Sequence, residues 1–284
     1  MGVMGEHAVV IGASMAGLVA AKALAPRFRQ VTVFERDTLP DQAENRRAGP
    51  HGGHAPALLI SGRPALEKLF PGLTDELVEG GAVLFDRGHD LLCHQMGAPR
   101  VRFAGGGLGV RLSRAHLEHA VRGRVAALEY AGIRDRTPVH ELVLDRGRVT
   151  GVELGEGERI PDDLVVDATG RGGGGPAPTL QRHGFPEPEV DTVKIDVGYT
   201  TRLLHRSPGD LHDGALLYLT SAVPCGPPGR PGASRTPAGR PSPGHAALLA
   251  ARRSPARRSA SGPADRPVAA RGARSGPVPH TVPR

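Results

Sequence analysis

Four consecutive apolar residues, Ala8 to Ile11, open the first regular pattern of the chain. They read as a strand covered on both faces. A glycine-bearing turn follows. Met15 to Leu24 is rich in alanine and leucine, good helix formers, and Pro26 lies at its end. Gln30 to Phe34 returns to β-branched and apolar residues. Together these stretches predict a βαβ unit of about 30 residues. Farther on, "ELVLDRGRVTGVEL" predicts two alternating strands joined at Asp145-Arg146-Gly147, a hairpin signal. "DLVVDATG" then predicts a strand that returns to the first sheet and ends at Asp167-Ala168-Thr169-Gly170. The fold class implied is α/β, with a parallel sheet and a β-meander.

The pattern stops around Ser221-Ala222. From Val223 to Arg284 the chain has 13 Pro, 12 Ala, 11 Arg, 8 Gly and 6 Ser among 62 residues, and no Ile, Phe, Tyr, Trp, Lys or Glu. Such a segment cannot bury an apolar face, so it is expected to be a disordered tail. "HAALLAARRS" within it predicts a helical turn or two at most. The tail also explains the charge. Eleven of the 36 basic residues and one of the 29 acidic residues lie in it, against an overall +7. The first 222 residues therefore hold 25 bases and 28 acids, the balance of an ordinary mildly acidic protein.

The chemistry of the first turn is more specific. Gly12-Ala13-Ser14-Met15-Ala16-Gly17 follows a strand and opens a helix, as the dinucleotide fingerprint G-x-G-x-x-G does. Gly12 permits the sharp turn, and Gly17 lets helix and strand pack closely. Ser14 replaces the middle glycine; it keeps the backbone N–H groups that hold an anion, and its hydroxyl could add a contact. Glu35 ends the second strand, 23 residues after Gly12, where an acid accepts hydrogen bonds from ribose hydroxyls. A glutamate there favours an unphosphorylated ribose, hence FAD or NAD over NADP. Further βα repeats would follow the first unit in an NAD-dependent dehydrogenase. Here a long loop, helices and a meander follow, which points to FAD.

"VVIGASMAGLVAAKAL…VTVFERD" and "RRAGPHGGHAPALL" together resemble the actinobacterial FAD-dependent oxidoreductases related to aromatic-ring hydroxylases and squalene-type monooxygenases. "RLSRAHLEHAVRGRV" (111–125) is similar to that family's arginine-bearing helix, and "VKIDVGYTTRLLHR" to the first long strand of its substrate domain. The resemblance covers about residues 6–222 and implies a Rossmann-like FAD-binding domain with part of a mixed-sheet substrate domain. Residues 1–222 form this unit, with substrate-domain strands at about 78–105 and 190–222; residues 223–284 form the tail. The expected cofactor-binding residues are Gly12, Ala13, Ser14, Met15, Ala16, Gly17, Glu35, Arg36, Arg47, Arg114, Asp167 and Gly170. Arginines suit a pyrophosphate because they pair bidentately and stay charged. Arg46 is a weaker candidate than Arg47, and His54 reads as an exposed loop histidine. No residue is assigned a catalytic role.

The activity implied is that of an FAD-dependent monooxygenase hydroxylating or epoxidising a small organic substrate of secondary-metabolite type, with NAD(P)H as transient electron donor. Two alternatives stand beside it: a truncated, non-catalytic remnant that binds the dinucleotide weakly, and a flavin-dependent prenyl reductase. The family's second flavin motif, G-D-A-x-H, belongs well beyond residue 222. Gly209-Asp210, the one Gly-Asp pair, reads as a turn. Cys93 and Cys225 read as plain thiols, and the histidine pairs 51/54 and 116/119 lack a third ligand, so no metal is expected. The first apolar run has no basic segment before it, so neither a signal peptide nor a membrane span is expected and the location is cytoplasmic. Three readings of the tail compete: an arginine-rich nucleic-acid arm, a linker, and out-of-frame translation. The absence of aromatics argues against specific nucleic-acid binding. A break inside a substrate-domain sheet, in G+C-rich codon composition, favours the frameshift.

Overall fold

A computed structural model describes residues 2–46, 52, 57–95, 98–170, 177–193, 197–204, 216–220 and 246–253. In chain order the elements are β1 (Gly5–Ile11), α1 (Met15–Leu24), β2 (Phe28–Phe34), β3 (Ala57–Leu58), α2 (Gly62–Leu69), α3 (Leu73–Glu79), β4 (Val83–Asp86), β5 (Leu91–Gln95), β6 (Ala98–Pro99) and β7 (Leu108–Arg111). Then come α4 (Arg114–Ala126), β8 (Ala131–Arg134), β9 (Val139–Asp145), β10 (Arg148–Leu154), β11 (Arg159–Pro161), β12 (Leu164–Asp167), α5 (Ala177–Arg182), β13 (Val197–Leu204), β14 (Leu216–Thr220) and β15 (Ala246–Arg253).

The first four-stranded sheet has the order β12-β1-β2-β8, and every neighbour is parallel. Why Ala8–Ile11 of β1 reads as an unbroken apolar run is now visible. Successive side chains of a strand point to opposite faces. Ala8 and Val10 pack with Leu18 and Ala21 of α1 and with Leu117, Val121 and Val125 of α4. Val9 and Ile11 pack instead with Phe34 and the meander residues Leu142, Val152 and Leu154. Helices cover one face and the meander the other along Ala8–Ile11, so these four positions leave no place for a polar side chain, whereas Glu6 and His7 at the start of the strand carry theirs.

The meander is the antiparallel sheet β11-β10-β9. Its hairpin turns on Arg146 (φ 46°) and Gly147 (φ 75°), positive at both central positions. That is the two-residue turn whose twist matches a right-handed hairpin. The predicted return strand is β12, in register beside β1 from Ala8↔Leu164 to Ile11↔Asp167. The helix predicted over 111–125 begins later, at Arg114. Arg111 belongs to β7, and Ser113 is the N-cap, its hydroxyl accepting from the His116 N–H at 3.0 Å.

The stretch 78–105 divides between two sheets. β4 pairs with β7 in the order β3-β7-β4, whereas β5 pairs with β6 and, in parallel, with β14. Within the tail, Ala246–Arg253 forms β15, antiparallel to β13 over eight residues, where a helical turn or two is expected from the sequence. So short a helix is marginal alone, and pairing with β13 gives its backbone groups partners. The rest of 223–284, Cys225 included, lies outside the described residues, as does Gly209-Asp210. Among the described residues, no helix is long and apolar enough to cross a membrane.

Candidate functional site

Three strand ends converge on the glycine-rich turn. Gly12 N–H donates to Phe34 O at 2.7 Å, tying the turn to the end of β2, and Ala168 N–H donates to Ile11 O at 2.9 Å, tying it to the end of β12. Gly12 has φ +103°, and a β-carbon there would stand 2.7 Å from Ala168 O. Both facts demand glycine. Gly17 is tighter still, since a β-carbon would lie 1.8 Å from Gly12 O. Helix α1 thus starts against the turn itself.

The start of α1 is open to an anion. Its N-cap, Ser14, makes no side-chain capping bond, and the first turn carries no acid. The first backbone N–H groups of the helix keep their donors free of side-chain caps. The Ser14 hydroxyl is engaged elsewhere. It donates to Glu118 Oε2 at 3.1 Å and accepts from Arg114 Nη2 at 3.2 Å. The hydroxyl is thus drawn toward α4.

Glu35 is 6% exposed. Its Oε2 accepts from Ala13 N–H at 2.9 Å and its Oε1 from Asp37 N–H at 3.1 Å. Burial pushes its pKa upward, but those two N–H groups and the Arg46 guanidinium outweigh burial and hold it below the usual carboxylate value. The acid is thus ionised and aimed at the turn.

Arg46, the weaker candidate from sequence, is the buried one. Its side chain is 6% exposed, with Nη1 3.0 Å from Glu35 Oε2 and Nε 2.6 Å from Glu118 Oε1. Glu118, a residue the sequence reading does not single out, lies on α4 and is 7% exposed. A signal for it does exist. Arg114, Glu118, Val121 and Val125 fall at spacings of four, three and four, so Glu118 sits in the apolar row of the helix. An acid in such a row needs a buried partner. The segment between β2 and Arg46 is pinned to the same region. Leu39 N–H donates to Asp135 at 3.0 Å, and Arg122 of α4 donates to the Pro40 carbonyl. Burial lowers the pKa of Arg122, with Glu118 opposing the shift.

The remaining expected residues fall as follows. Met15 is half-buried and Ala16 exposed at the head of α1, while Arg36 is exposed just past β2. Arg114 is half-exposed, 3.6 Å from Glu118. Asp167 accepts from Thr169 N–H at 3.0 Å, shaping the turn after β12, where Gly170 has φ +69°. Arg47, His51 and His54 lie outside the described residues. Among the described residues no three His, Cys, Asp or Glu side chains cluster as a metal site would require.

Comparison with known proteins adds the fold. PqsL, a probable FAD-dependent monooxygenase from Pseudomonas aeruginosa, superposes with a TM-score of 0.54 at 17% identity, covering 72% of this chain and 51% of that one. A variant of 2-methyl-3-hydroxypyridine-5-carboxylic acid oxygenase superposes with a TM-score of 0.55 at 22% identity, covering 76% and 52%. The fold is that of the FAD-dependent monooxygenases. The parallel sheet and the antiparallel sheets match that fold. In sequence the chain is 39% identical over 214 residues to the protein Rv3254 of Mycobacterium tuberculosis, which covers 69% of this chain and 44% of Rv3254. The chain thus spans less than half of this curated relative and about half of the solved monooxygenases. No protein-family model matches it.

The site suits FAD on its own geometry. Gly12 and Gly17 let the turn close tightly, since a side chain at either would meet the backbone of Ala168 or of Gly12. The uncapped start of α1 offers donors, and Glu35 offers an ionised acceptor at the end of β2. These are the groups an adenine dinucleotide requires.

Proposed function

We propose that this chain carries the FAD-binding part of an FAD-dependent monooxygenase that hydroxylates or epoxidises a small organic compound, with NAD(P)H as electron donor, in the cytoplasm. The supporting observation is the junction of Gly12, Gly17 and Glu35 at the ends of β1 and β2 within a monooxygenase fold. When bound and reduced by NAD(P)H, FAD supplies the activation of O₂ that such oxygen transfer needs.

The residues have separable tasks. The backbone at Ser14 to Ala16 binds the pyrophosphate, assisted by the positive end of α1. Glu35 accepts from the adenosine ribose. Arg114 and Arg47 supply positive charge for the phosphates, while Asp167 to Gly170 brings backbone near the cofactor. PqsL has been crystallised with 2-aminobenzoylacetate, a small aromatic acid, which supports a small organic substrate here without identifying it.

The composition after residue 222 favours a second reading, a remnant that keeps the dinucleotide fold without turnover. Titration of the full chain with FAD, followed by NADH or NADPH consumption under air, separates the two. Stoichiometric FAD with nicotinamide oxidation establishes the enzyme; FAD binding without oxidation establishes the remnant. Failure to bind either FAD or ADP refutes both.

A further inference from the structure

We propose that Glu118 is a positioning residue of the dinucleotide site, holding Arg46 and Arg114 in place beside the glycine-rich turn before any ligand arrives. The inference rests on the dinucleotide reading above and assigns a role to a residue outside the fingerprint.

Three features carry it. First, the carboxylate is buried and its contacts come from three separate parts of the chain. Its Oε1 forms an ion pair with Arg46 Nε, on the segment after β2, at 2.6 Å but without hydrogen-bond alignment. Its Oε2 accepts from the Ser14 hydroxyl at 3.1 Å, at the head of α1, and stands 3.6 Å from Arg114 Nε, one turn away on α4. Second, opposite charges alternate across the site: Glu35 pairs with the buried Arg46, Arg46 with Glu118, and Glu118 with the half-exposed Arg114. A dianionic pyrophosphate entering here meets ordered guanidinium groups instead of ones it must order itself. An arginine left free loses rotamer freedom on binding, and that loss weakens affinity.

Third, Glu118 limits how Arg46 uses Glu35. An ionised carboxylate has about four acceptor positions. On Glu35, Ala13, Asp37 and Arg46 already use three. Holding Arg46 by its Nε from the opposite side keeps the guanidinium from turning wholly onto Glu35. An acceptor position remains for the ribose.

The sign of the effect is diagnostic. A buried acid next to a phosphate site with no positioning role repels the ligand, so its neutralisation would tighten binding. Positioning predicts the opposite. The test uses the full chain and ADP, the part of the ligand this site reads, followed by calorimetry. Glu118→Gln keeps shape and acceptor but removes the charge, and it is expected to weaken ADP binding about tenfold as the ion pairs to Arg46 and Arg114 are lost. Arg114→Met is expected to weaken it several-fold, and the double variant about as much as Glu118→Gln alone, because the two act as one unit. Wild-type-like or tighter ADP binding by Glu118→Gln, or strict additivity, overturns the proposal while the dinucleotide site stands. If the wild-type chain binds neither ADP nor FAD, the site reading falls and the proposal with it. If Glu118→Gln does not fold, Glu118→Asp decides, since it keeps the charge but draws it back from Arg46 and Arg114: unchanged affinity overturns, and weakened affinity supports.

Discussion

Gly17→Val is the sharpest probe of the turn. The new β-carbon would stand 1.8 Å from Gly12 O, 3.0 Å from Gly12 C and 3.3 Å from Val10 Cγ1. An ordinary close carbon-to-oxygen contact is about 3.3 Å, so α1 must retreat by roughly 1.5 Å. The blocking atom is backbone at the end of a four-stranded sheet and cannot swing aside. Overpacking of this kind costs about 1–3 kcal/mol, and backbone resistance puts this site at the upper end. For a domain of this size a cost of about 3 kcal/mol is a fall in Tm of about 6–12 °C. Affinity suffers separately. A retreat of that size takes the first N–H groups of α1 out of hydrogen-bond range of a pyrophosphate. Two charge-assisted bonds lost, at about 1.5 kcal/mol or more each, weaken ADP binding about a hundredfold or more. Thermal denaturation and calorimetric ADP titration read the two effects. Gly123→Ala is the control: Gly123 is exposed on α4 with nothing within 4 Å of its would-be β-carbon. Removing a mid-helix glycine there should stabilise by about 0.8–1 kcal/mol. Should Gly17→Val bind ADP within threefold of wild type, the close-packing argument is wrong.

Other expectations follow from the same structure. Both carboxylate oxygens of Asp162 are buried without a hydrogen-bond partner among the described residues; burial raises its pKa to about 6, His7 opposing and Asp163 adding to the rise. Its folded pKa lies above the unfolded one, so this group increasingly destabilises the fold as pH rises from about 4 to 6, by at most about 3 kcal/mol. Asp162→Asn should therefore gain more in Tm over wild type at pH 7.5 than at pH 5, and an equal difference at both pH values contradicts it. Glu35→Ala should abolish calorimetric ADP binding, and retained affinity removes the ribose acceptor from the argument. Filter binding should find only weak, sequence-independent nucleic-acid retention that vanishes as salt rises, whereas tight, selective retention would reinstate the arm. A one-base change of frame near codon 222 should open a downstream G-D-A-x-H motif in the gene, and its absence from both other frames ends the frameshift reading.

Local patterns made the frame of this fold legible. The run at Ala8–Ile11, the helix from Met15 to Leu24 and the Asp145-Arg146-Gly147 hairpin each reflect short-range rules: burial on both faces, helix propensity, and a turn needing positive φ. The turn glycines and Glu35 were legible because the fingerprint couples residue type to fixed spacing. Arg46 was legible only as a weaker candidate and Glu118 only as an acid in an apolar row, because their meaning is a pairing across 72 positions of sequence that exists only in the folded chain. Ser14 shows the same limit. Its size was readable, but its hydrogen bonds to α4 depend on a neighbour that no local pattern specifies. The strand at Ala246–Arg253 also runs against local preference, since only its partner β13 makes it extended.

The place of β12 in the sheet sets a timetable for synthesis. β1 emerges first, yet its outer neighbour is encoded 156 residues later, and His7 and Asp163 meet at the same separation. At about 5–20 residues per second, the ribosome needs roughly 8–30 s to supply that neighbour. During this interval one edge of β1, with the glycine turn at its tip, stands open to other chains or to a chaperone. Once Asp167 is made, all four strands of the parallel sheet exist. Residues beyond 222 are then added only after these four strands have been made.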